Sequence, residues 1–112
     1  MNDRDQQVAV ETAKRAGALL GTELGKRRQI AFKGSPTNLV TEMDRRAEAL
    51  IIEAIQAAFP ADAILSEERG TVGGPAGRRW IIDPLDGTTN YAHGVPIFCV
   101  SIALEVDGQT RL

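Results

Sequence analysis

The chain has 112 residues, with 13 lysines and arginines against 15 aspartates and glutamates and a net charge of -2, which sets an upper bound of one domain with a modest core. Hydrophobic residues make up 43% and the basic residues form no long block, so no nucleic-acid or anionic-membrane footprint is expected. The polar start MNDRDQQ lacks the apolar core of a signal peptide, no apolar run approaches the roughly 20 residues of a membrane helix, and the single Cys99 has no disulfide partner, so the expectation is a cytoplasmic protein with Cys99 buried in a strand.

From Asp5 to Arg28 the apolar positions Val10, Ala13, Ala16, Leu20 and Leu24 recur at three and four residues, which predicts an amphipathic helix. Gly17, Gly21 and Gly25 share a four-residue spacing that would admit a close neighbour on that side. QIAFKG reads as a short strand ending at Gly34, and GSPTN as a loop. A second helix follows on Met43, Ala47, Leu50, Ile51, Ala54, Ile55 and Ala58 and stops before Pro60. Thr41 to Asp44, TEMD, fits a capping box at its start, with Asp44 in the position usual for glutamate. AILSEE, Ala63 to Glu68, is a short strand ending in two acids, RGTVGGPAGRR a Gly-rich loop, and Arg79 to Ile82 another strand. Val95 to Leu104 is apolar almost without alternation, as expected of a strand covered on both faces. An Asp107-Gly108 turn then opens a return strand.

WIIDPLDGTTNY, Trp80 to Tyr91, carries the chemistry. Pro84 cannot donate to a ladder, so the strand is expected to end near Asp83, leaving that carboxylate at its carboxyl end. Asp86-Gly87 is a turn dipeptide that can bring Asp86 round toward Asp83. Two acids so placed ask for a shared proton or a metal, although Asp86 would also serve as the N-cap of a short helix beginning near Thr88. With Glu67 from the other strand end, the set offers three hard oxygen donors, which suit Mg²⁺ far better than Zn²⁺. His93 is the sole imidazole, so a histidine and cysteine zinc site is not expected. Gly87, Thr88 and Thr89 supply backbone N–H groups of the kind that bind phosphate.

These residues, with SEE upstream and NLVTEMD before it, resemble the inositol monophosphatase family, Mg²⁺-dependent phosphatases of small sugar and cyclitol phosphates. The resemblance runs from about Lys33 to Leu104 and implies metal ligation by Glu67, Asp83, the Leu85 carbonyl and Asp86. It implies further that Thr88 and Asp44 orient the attacking water, and that Lys33 and Glu68 lie near the site. The implied reaction is hydrolysis of a small phosphomonoester by a metal-activated water, with Mg²⁺ or Mn²⁺ as cofactor, Li⁺ as an inhibitor, and a homodimeric assembly. The D-x-D-G-T string of haloacid-dehalogenase phosphatases is a lesser match, since its aspartates are two apart and those here are three apart. Nothing in these residues chooses among inositol phosphates, sugar bisphosphates, histidinol phosphate and nucleotide 3′-phosphates.

The expected fold is α+β: two helices on one face of a largely antiparallel sheet, with the acids gathered at one rim. The resemblance implies the N-terminal portion of a layered α/β/α/β/α phosphatase, residues 1–112 being its metal-binding part, truncated before a C-terminal half. A second reading is therefore a catalytically silent metal-binding or dimerising module.

Overall fold

The computed structural model describes residues 3–29, 36–66, 69–73 and 77–112, with backbone alone for 25–29 and 36–41. Two long helices, α1 (Asp3–Gln29) and α2 (Pro36–Ala58), precede the strands β1 (Ala63–Ser66), β2 (Gly70–Val72) and β3 (Arg78–Asp86). A one-turn helix α3 (Thr88–Ala92) and the hairpin β4 (Cys99–Val106) and β5 (Gln109–Thr110) complete the chain. The sheet runs β2-β1-β3-β4-β5, and among its pairings β1 with β3 is parallel while the others are antiparallel. The α+β expectation holds.

Register explains where the core sits. Ile64 lies opposite Trp80, Trp80 opposite Leu104, and Ile82 opposite Ile102, so these side chains share one face. Against that face α1 and α2 bring Ala9, Ala16, Ile51, Ile52 and Ile55, all buried. A second cluster at the rim joins Leu20 and Leu24 of α1, Met43 and Ala47 of α2, Leu85 of β3 and Tyr91 of α3. The far end of the sheet is stapled by polar groups. Asp62 accepts from the Nε of Arg78 at 3.0 Å and from the buried Trp80 indole N–H at 2.9 Å, while Arg78 also donates to Asp5 of α1 at 2.8 Å.

Several expectations need correction. α2 begins at Pro36 rather than at Thr41. Proline is favoured in a first turn, where its missing N–H removes nothing, so the GSPTN segment contributes to the helix. Asp44 thus lies roughly two turns inside α2, and the capping box falls. The region read as a Gly-rich loop contains β2, which pairs with β1 from Ile64–Val72 to Ser66–Gly70. Cys99 is exposed, and so is Ser101, because the helices cover one face of β4 and the other stays open. A Cβ at Gly17 or Gly21 would meet nothing within 4 Å, so the glycine spacing marks no close approach there. The strand expected from Gln29 to Gly34 lies outside the described residues, except Gln29, which ends α1.

Candidate active site

β3 does not stop at Pro84. It continues to Asp86 through a bulge: Asp83 opposes Ser101 and Asp86 opposes Cys99, so three steps on β3 match two on β4. Pro84 sits in that irregularity, where no ladder N–H is needed. The bulge decides which way the rim carboxylates face. Ser101 and Cys99, two apart, point to one face of β4, and their partners are brought to that same face. Without the extra residue, Asp83 and Asp86 would point to opposite faces. Burial follows suit: Pro84 and Leu85 are both buried, between a half-buried Asp83 and an exposed Asp86.

The local contacts are consistent with two acids sharing one edge. Asp83 Oδ1 accepts from the Leu85 N–H at 3.3 Å, and the Cys99 thiol lies 3.7 Å from Asp86 Oδ2. Although Cys99 is exposed, desolvation at the bulge, followed by the charges of Asp86 and Asp83, pushes its thiol up. Asp86 does not cap α3. Gly87 occupies the N-cap at φ 94° and ψ 40°, with no side-chain cap bond.

α3 is fixed from both sides, which sets the position of Thr88. The Tyr91 hydroxyl donates to the Leu20 carbonyl at 2.8 Å, and its ring meets Phe98 edge-on at 5.0 Å. The Asn90 side-chain amide donates to the Ile97 carbonyl at 2.8 Å, and the Asn90 carbonyl accepts from the Val95 N–H at 2.8 Å. Asn90 and Tyr91 thus hold the motif in shape, a role the sequence reading did not give them. Their place inside the string TTNY, where an amide and an aromatic follow a turn, was the available signal.

Of the residues expected at the site, Asp83, Leu85, Asp86, Gly87 and Thr88 come together along the β3–α3 junction. Asp44 is half-buried on α2, its Oδ1 shielded from solvent, one turn from Ala47 in the rim cluster. Lys33, Glu67 and Glu68 lie outside the described residues. Among the described residues no three of His, Cys, Asp and Glu form a group able to hold a metal ion. The donor set nevertheless fits a hard cation: two carboxylates on one face, and a Leu85 carbonyl in the bulge.

The chain matches the model of the inositol monophosphatase family over residues 1–112. It is 46% identical over 108 residues to the histidinol-phosphatase of Chlorobaculum parvum, covering 96% of this chain and 42% of that protein. It is 50% identical over 99 residues to the inositol-1-monophosphatase of Synechocystis, covering 88% and 34%. The crystal structure of the extragenic suppressor protein suhB from Bartonella henselae superposes with a TM-score of 0.82 at 37% identity, over 96% of this chain and 41% of that one. The chain thus spans 42% of the length of that histidinol-phosphatase and 34% of that of the Synechocystis protein. A match over the whole chain, a shared fold and the D-P-L-D-G-T-T-N string folded about one bulge lead to a single assignment: this chain belongs to the inositol monophosphatase family.

Proposed function

We propose that the protein is a Mg²⁺-dependent phosphatase of a small phosphorylated polyol or sugar. The observation that carries this reading is the bulge between Asp83 and Asp86, which turns both carboxylates to one face beside α3. Phosphatase names among the relatives support the reaction class.

In this reading Asp83, Asp86 and the Leu85 carbonyl hold the cation, with Glu67 as a further ligand. When bound, Mg²⁺ supplies Lewis acidity toward the phosphate oxygens and the attacking water. The chain's own residues do the rest. Gly87 and Thr88 offer backbone N–H groups to the phosphate. The Thr88 hydroxyl and the Asp44 carboxylate orient the water, and Asp44 accepts its proton. Water adds to phosphorus, the P–O bond to the alcohol breaks, the leaving alkoxide takes a proton from solvent, and Asp44 returns to solvent the proton it accepted from the attacking water. No bond to the protein forms, which distinguishes this route from one with an aspartyl nucleophile.

Calorimetric titration tests the reading. Mg²⁺ or Mn²⁺ added to the parent chain should release or absorb a heat that Asp83→Asn removes. Equal binding by Asp83→Asn and the parent would show that the site is elsewhere.

A further inference from the structure

Glu48 is the buried carboxylate of α2, its side chain 3% exposed, and it lies one turn beyond Asp44 on the same helix. Both of its oxygens are engaged. Ser66, the last residue of β1, donates its hydroxyl to Oε2 at 2.6 Å, and Arg69 donates Nε to Oε1 at 2.7 Å. Ser66 in turn stands opposite Ile82 in the parallel register, and Ile82 directly precedes Asp83. In the sequence, Ser66 and Arg69 are also the immediate neighbours of Glu67 and Glu68. One carboxylate therefore ties α2 both to Ser66 at the carboxyl end of β1 and to Arg69.

Burying a carboxylate carries a desolvation cost that an apolar residue would not incur. Neighbouring positions of α2 that face the core are Ala47, Ile51 and Ile55, so an apolar side chain would continue the packing. The two bonds instead fix a distance and a direction between α2 and the strand ends. We propose that Glu48 is a positioning residue for the metal site: it holds Ser66, the carboxyl end of β1, against α2, and so fixes the neighbouring end of β3, where Asp83 follows Ile82, relative to Asp44 on α2. This rests on the metal reading above.

The test compares the 112-residue chain with Glu48→Gln, Ser66→Ala, their double variant and Asp83→Asn. Mn²⁺ affinity is measured by calorimetry, and each metal-free melt by circular dichroism. Glu48→Gln keeps the size of the side chain but loses the charge that holds Arg69; Ser66→Ala removes a single hydrogen bond and should fold if Glu48→Gln does not. Loss of a group that orients ligands generally weakens metal binding by about 10- to 100-fold. Glu48→Gln is expected in that range and Ser66→Ala at its lower end. The Ser66→Ala effect should shrink in the Glu48→Gln background, because both act through one contact. A lowered melting temperature with parental Mn²⁺ affinity in the folded single variants would make Glu48 merely structural and overturn the proposal. If Asp83→Asn binds Mn²⁺ as the parent does, or the parent binds none, the metal reading fails and this proposal with it. Loss in Asp83→Asn alone, with Glu48→Gln and Ser66→Ala unchanged, would overturn the positioning role only.

Discussion

Gly87 holds a left-handed backbone at φ 94°, and a Cβ built there would stand 3.0 Å from the Ile97 carbonyl oxygen and 3.2 Å from the Phe98 Cα. Both features act at one position, and both neighbours belong to backbone that Asn90 already holds in place. Gly87→Ala should therefore lower stability by about 1–3 kcal/mol, read as a fall in melting temperature, and a variant melting with the parent would show that the loop yields freely. The next residue is one to which the proposed function gives a chemical rather than a structural role. Thr88 is exposed, so Thr88→Ala should leave the melt nearly unchanged. If it orients the attacking water with Asp44, either Thr88→Ala or Asp44→Asn should lower kcat by roughly 10² with metal affinity little altered. Steady-state kinetics in a form of the protein that turns over, paired with metal titration, distinguishes that result from a loss of binding.

The elements are joined by two kinds of fastening, one apolar at the active rim and one polar at the opposite end of the sheet. There Asp62 holds the fully buried Trp80 indole N–H, and Arg78, stacked 5.2 Å over Phe59, links it to Asp5. Arg78 is about a third exposed at 32%, so its ion pairs count for less than the geometry suggests. The indole is different, because Asp62→Ala would strand its donor without water. We expect a loss of about 1–3 kcal/mol in chemical denaturation, with Asp62→Asn retaining part of it, and an unchanged midpoint in Asp62→Ala would show that another acceptor moves in. How far these elements were legible in the sequence follows from what each depends on. The periodicities of α1 and α2 and the Asp107-Gly108 turn are local patterns, and they sufficed. Pro84 misled because its effect on a strand depends on whether the partner supplies a bulge, and that is set by the pairing of Asp83 with Ser101 and Asp86 with Cys99 across the sheet. The capping alternative for Asp44 arose because Thr41 and Asp44 fit a local motif, while Pro36, upstream, had already begun the helix. Glu48 gave no signal: its partners Ser66 and Arg69 lie 18 and 21 positions away and meet it only in the folded chain. Turn chemistry led only to the expectation that Asp86 could come round toward Asp83; the face the two share follows from a strand irregularity that local sequence does not encode.

At the scale of the molecule, and among the described residues, the helices cover one face of the sheet and leave the other bare. Leu65, Ile81 and Ala103, with Ser101 and Asp83, line a groove of about 410 Å³ on that bare face, and β2 and β5 are edge strands. Apolar surface joined to open edges favours association. The 112-residue chain on its own is therefore expected to self-associate. Catalysis should suffer as well. In the proposed ligand set, Asp83, Asp86, the Leu85 carbonyl and Glu67 would serve one hard cation, whereas a two-metal clamp on attacking and leaving oxygens would need further carboxylates. Phosphate release from inositol 1-phosphate in millimolar Mg²⁺ should accordingly be weak, and sizing chromatography should show species larger than the monomer. Ile81→Lys distinguishes a specific cause from general instability. Placed on the bare face, it should shift the chain toward monomer while the melting temperature stays near the parent's, since the helix-covered face is untouched. Association that persists in Ile81→Lys would assign the contact to an edge strand instead of the groove. A monomer with robust turnover that Asp83→Asn abolishes would overturn the expectation and show that these residues suffice for the reaction.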